Sequence, residues 1–136
     1  MLTNGVVAYL LDQAPISSVV GSRIQPIPAP EDLSQYPCIA YQSPSDVSEN
    51  ANDGLVGVAT SRVIFDCKAL RYLDARNLAL AVKAALNGYS GTLPDGTQVF
   101  LAEKVNLVDR WEDGSRISCT AVHILFQYGD QPTSEG

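Results

Sequence analysis

The chain is predicted to fold as one α+β domain, an antiparallel β-sheet of about four strands with one main helix packed on one face and a short N-terminal helical segment. Three observations predict it. Val58 to Ala69 and Arg116 to Tyr128 alternate with the period of two that a pleated strand imposes. Leu73 to Asn87 carries its apolar residues on one helical stripe. The turn signals Pro94-Asp95-Gly96 and Glu112-Asp113-Gly114-Ser115 bracket a further strand, Gln98 to Trp111, which makes a long hairpin with the last one. A length of 136 residues suits a single core, assigned to residues 1–128, with residues 129–136 as a flexible C-terminal tail rich in Pro, Thr, Ser, Gly and acids.

Taken in order, Leu2 to Asp12 sets Leu2, Val6, Tyr9 and Leu10 near one helical face, and Pro15 marks its end. Ile16, Val19 and Val20 repeat the spacing for about two turns before Gly21, whose freedom at positive φ suits a C-cap. Arg23 to Ile27 reads as an extended edge or crossing segment, because Pro26, Pro28 and Pro30 remove donors and disfavour helix before them. Pro37 opens a strand through Ile39 and Tyr41 that is expected to end near Pro44. Asp46 to Gly57 is acidic and polar with no Lys or Arg, and reads as an exposed loop.

In the strand Val58 to Ala69, Val63, Phe65 and Cys67 form an apolar face, and Arg62, Ile64, Asp66 and Lys68 a mixed one. The helix after it places Ala75, Leu78, Ala79, Val82, Ala85 and Leu86 on one side, Asp74 complements its N-terminal dipole, and Gly88 ends it. In the last strand Ile117, Cys119, Ala121 and Leu125 alternate with Val122, Ile124, Phe126 and Tyr128, so both faces are apolar over its second half. One four-turn helix shields one side of such a sheet. Apolar surface left on the other side is expected to be a protein interface.

Composition excludes several roles. The chain is 46% hydrophobic and 18% charged, too apolar for disorder. Its apolar runs fall far short of the roughly 18 residues of a membrane span. No basic residue precedes Arg23, so a secretory n-region is missing and the protein is expected to stay where it is made. A net charge of -6 opposes wrapping a nucleic-acid backbone. Cys38, Cys67 and Cys119 are an odd number within apolar strand-like runs, and read as buried free thiols.

No catalytic pattern emerges. His123, the one histidine, lies mid-strand with no metal-ligand spacing around it. Ser90 in Gly88-Tyr89-Ser90-Gly91 lacks the nucleophile-elbow pattern, and Gly54-Leu55-Val56-Gly57 is followed by no Lys-Ser or Lys-Thr. Asp46, Ser48, Asn50 and Asn52 alternate like the first ligands of a calcium loop, but Ala51 stands where glycine is needed and Gly57 where the closing Glu belongs. No cofactor or metal is expected. Asp109-Arg110-Trp111-Glu112-Asp113 at the hairpin tip reads equally as a charged turn or as an interface anchor built on Trp111 and Arg110.

Several segments occur in a telling order: the first helix, then Pro15-Ile16 and Val19-Val20-Gly21-Ser22-Arg23-Ile24, Tyr36-Pro37-Cys38-Ile39-Ala40-Tyr41, and Arg62-Val63-Ile64-Phe65-Asp66. Tyr72 and Ala75 then open a helix, and an acidic-aromatic turn precedes the closing strand. In this order and at this length the chain resembles the tail-terminator or tail-completion proteins of long-tailed bacteriophages, over most of its length up to about Tyr128. The resemblance implies a non-enzymatic virion structural protein at the head-proximal end of the tail, present in the host cytoplasm during assembly. It implies a hexameric ring of identical copies that caps the tail tube, contacts the tube protein and the head-tail connector, and lets DNA pass its lumen without specific binding. The candidate interface residues are Asp46, Glu49 and Asp53 in the acidic loop, which are also the first candidates to face the lumen, with Arg62, Asp66, Arg110, Trp111 and Glu112. The loop and the C-terminal tail match the family least. A head-completion or connector adaptor is the neighbouring reading. A small-molecule-binding regulatory α+β domain, which requires a concave pocket, is the rival from another class, followed by an enzyme.

Overall fold

The structure is a computed structural model that describes residues 2–47, 58–110 and 117–129. Among the described residues, three helices lie against a six-stranded sheet. They are α1 (Leu2–Leu11), α2 (Ala14–Val20) and α3 (Tyr72–Leu86), and the strands are β1 (Ile24–Pro26), β2 (Cys38–Val47), β3 (Val58–Ala69), β4 (Gly91–Thr92), β5 (Gln98–Arg110) and β6 (Ser118–Gly129). A short 3-10 turn, Leu33–Gln35, interrupts the crossing from β1 to β2. Strand order is β1-β2-β3-β6-β5-β4.

The four long strands pair antiparallel, as expected. The sheet is nevertheless mixed and wider than about four strands. Ile24–Pro26 pairs parallel with Ile39–Tyr41, and Gly91–Thr92 pairs with Gln98–Val99. These two- and three-residue strands are fixed by their neighbours rather than by any periodicity of their own. Strand β2 also continues past Pro44, with a register shift between Gln42 and Ser45. Pro44 is tolerated because β1 stops opposite Tyr41, so no outer partner among the described residues asks it for a donor. Gly129 pairs with Val58 at the end of β6, and the remainder of the predicted tail, residues 130–136, lies outside the described residues.

One core sits between the helices and one sheet face. Alternation along β3 and β6 sends Val63, Phe65, Val122, Ile124 and Phe126 into it, all within 1% of full burial. Helix α3 lays Ala75, Leu78, Ala79, Val82 and Leu86 onto that face, and α1 adds Leu2, Val6 and Leu10 at intervals of four. Helix α1 comes so close to the turn before β5 that a Cβ at Gly5 would stand 3.0 Å from Leu93 Cβ, and nearer still to the Asp95 carboxylate. Tyr9 ties α1 to α3, donating to the Ala85 carbonyl at 3.2 Å and packing its ring 4.6 Å from that of Tyr89.

Helix ends follow the sequence. Gly21 takes φ 62° and donates to Ser17 O at 2.8 Å, which closes α2 where a Cβ would be strained. All three cysteines are buried and outside any disulfide, and burial pushes the Cys67 thiol well above its ordinary pKa. No helix among the described residues is long and apolar enough to cross a membrane.

Candidate interaction face

The face of the sheet turned away from the helices gathers three of the predicted site residues. Arg62 and Asp66 share it because they lie four residues apart on β3, and pairing places Lys68 opposite Cys119, which in turn is opposite Arg110 on β5. Arg110 Nη1 stands 3.6 Å from Asp66 Oδ2, the carboxylate being 7% exposed and the guanidinium 43%. Screening at the open guanidinium keeps this pair's contribution small, but the pairing offsets the cost of burying the carboxylate. Arg62 is exposed and has no salt-bridge partner among the described residues.

The remaining predicted residues fall elsewhere. Asp46 belongs to β2, opposite Ser61, and is thus at a strand position rather than in the expected loop. Glu49, Asp53, Trp111 and Glu112 lie outside the described residues.

Sequence reasoning missed the company of His123. Its row neighbours are Ile64 on β3 and Asn106 on β5, and Arg62, Arg110 and Asp66 lie close enough to act on its charge. Burial first, and then the guanidinium charges of Arg62 and Arg110, lower its pKa from the ordinary value, with Asp66 opposing. Its Nδ1 is buried without a hydrogen-bond partner, so a second ring proton would find no acceptor there. Only the register of three strands brings these groups together.

The unfolded imidazole takes up its proton near 6.5 and the folded one only at lower pH, so the unfolded state binds more protons in between. Stability contributed here is intact above the unfolded value and falls as the solution is acidified through the window below it. His123→Gln is expected to flatten that part of the profile, read as a smaller loss of the denaturation midpoint between about pH 7.5 and about pH 5 than in the parent chain. Equal losses in both proteins would refute the assignment.

The apolar surplus is less than the alternation of β6 suggested. Cys38, Ala40, Ile64, Cys119 and Ala121 lie on this face, yet each is at most 8% exposed. Four of the five side chains are short and sit low between longer neighbours, as Ala121 does between Asp66 and Val108. What stays open is on β5, where Phe100, Leu101, Val105 and Val108 are 38% to 48% exposed.

At one end of the sheet a cleft is lined by Tyr72, Asp109, Arg110, Ser118 and Cys119. Asp109 is committed there. Its Oδ2 accepts from Tyr72 Oη at 2.9 Å, and its Oδ1 accepts from Thr120 Oγ1 at 2.9 Å and from Arg76 Nη1 at 3.2 Å. The Tyr72 hydrogen bond leads the causes that lower its pKa. The cluster clamps the start of α3 to β5 and β6. Among the described residues no group of three His, Cys, Asp or Glu side chains could hold a metal ion.

Neither the known family models nor the curated proteins include a match to this chain. Solved structures do. A chain of the virion of a native gene transfer agent particle superposes with a TM-score of 0.75 at 16% identity, over 94% of this chain and 94% of that one. At that identity the two chains share a fold, and the fold is one that a virion component uses.

Proposed function

We propose that this chain is a structural protein of a phage-type virion and, within that class, a tail terminator or completion protein. In this reading six copies close into a ring at the head-proximal end of the tail, cap the tube and meet the connector of the head. The observation that carries it is the superposition on a gene transfer agent virion chain over 94% of both lengths. The sheet adds support, since one side lies under the helices and, among the described residues, the other is covered by no helix and leaves Leu101 and Val108 of β5 exposed. Contacts between two different surfaces of identical copies generate rings when the rotation closes. The net charge of -6 suits a lumen along which DNA slides rather than binds.

Mixing the purified protein with growing tail tubes tests the reading. Tubes that stop at a fixed length with the protein at one end are expected. Tubes that grow unchecked while the protein binds the head connector instead would favour the adaptor role. In a parallel thermal-shift series, tube protein is expected to raise Tm and a panel of metabolites to leave it unmoved; the reverse would point to a small-molecule-binding domain.

A further inference from the structure

Both edges of the sheet are guarded against an added strand. On β5, Ala102 donates to the Tyr89 carbonyl at 2.9 Å and accepts from Gly88 N at 2.7 Å. Lys104 N donates to Asn87 Oδ1 at 2.8 Å, and Leu107 N to Asn106 Oδ1 at 3.0 Å. The outward donors of that stretch are therefore occupied by the chain's own groups. On the opposite edge, β1 ends at Pro26 with Pro28 and Pro30 behind it, and β2 carries Pro44 beside its register shift. Prolines and irregular register oppose pairing in the same way. A contact between copies that uses this sheet thus uses its face.

Among the described residues the face carries Arg62, Lys68 and Arg110 against two carboxylates, Glu103 and the buried Asp66, in a chain whose overall charge is -6. Its complement is an acidic surface with some apolar content. The crossing between β1 and the 3-10 turn supplies one: Glu31 and Asp32 are adjacent and exposed, with Ile27 and Leu33 beside them 47% and 38% exposed. No Lys or Arg occurs between Arg23 and Arg62. Of the other exposed acids among the described residues, Asp109 is engaged in its clamp and Asp95 with Thr97, Asp74 stands between Arg71 and Arg76 in sequence, and Asp12 has no second acid near it in sequence.

We infer that the outward sheet face of one copy docks the proline-rich crossing of a second copy, with Arg62 set against Glu31. The two surfaces differ, so the contact runs head to tail and can close into a ring. The closure rests on the ring reading above; the pairwise contact does not.

Sedimentation velocity on the full chain tests it, using the parent, Arg62→Glu, Glu31→Lys and the two changes combined, with circular dichroism to verify folding. Both positions are exposed, so the fold is expected to survive each change. Each single reversal should weaken self-association by about tenfold or more, and the combination should return it to within roughly threefold of the parent. Added salt should weaken the parent's association. Single variants that associate like the parent, or a combined variant no better than the singles, would overturn the inference, as would a parent that stays monomeric at every concentration. Rings indifferent to both charges would leave the ring reading standing without this contact. Charge-coupled pairs that never form rings would do the opposite.

Discussion

Leu78→Asp is expected to leave no folded protein. Leu78 is 2% exposed on the buried stripe of α3, between the helix and the sheet. The change removes a leucine whose loss alone costs about 2–5 kcal/mol, and it places a carboxylate where the core offers nothing to pair with it. Domains of this size are stable by about 5–15 kcal/mol, so the sum consumes most or all of the margin. Far-UV circular dichroism and solubility read the outcome. Leu80→Asp is the control, because Leu80 is 41% exposed on the same helix and should be tolerated. If Leu78→Asp kept a cooperative unfolding transition near that of the parent, the placement of α3 would be wrong.

Phe126→Ala should cost about 3–5 kcal/mol and lower Tm by roughly 10–20 °C. The ring is fully buried, and its strand neighbours in register are Ala102 and Ser61, both small. Small neighbours cannot swing over to fill the space, so the cavity term adds to the lost burial. Differential scanning calorimetry measures it. A drop of only a few degrees would mean that the core collapses around the gap and that β6 is packed less tightly than its burial indicates.

Long elements were readable from the residues because one period governs each of them. Strand β3 matches its expected span of Val58 to Ala69, and α3 differs from its expected span by one residue at each end. The short strands were not readable, since β1 and β4 are too brief to show alternation and exist through pairing with Ile39–Tyr41 and Gln98–Val99. Strand β5 hid its faces as well. Register shifts between Val99 and Leu101 and between Lys104 and Asn106 break the alternation twice, so Ala102 is buried while Phe100 is exposed.

The candidate face was half readable in the same sense. Charges at Arg62 and Asp66 on the mixed side of β3 were evident, as was the ambiguity of Arg110 near the hairpin tip. Their meeting around His123 depends on how β6 pairs with β3 and β5, and no local pattern encodes that register. The edge guards at Asn87 and Asn106 were equally invisible, because an asparagine at a helix end or mid-strand announces no partner until the neighbouring backbone is placed.

Negative-stain imaging of the purified protein at high concentration, with class averages sorted by symmetry, addresses self-assembly most directly. Closed rings of six-fold symmetry that disappear in Arg62→Glu are expected. Particles that remain single subunits at every concentration, alone and beside tail tubes, would contradict that expectation.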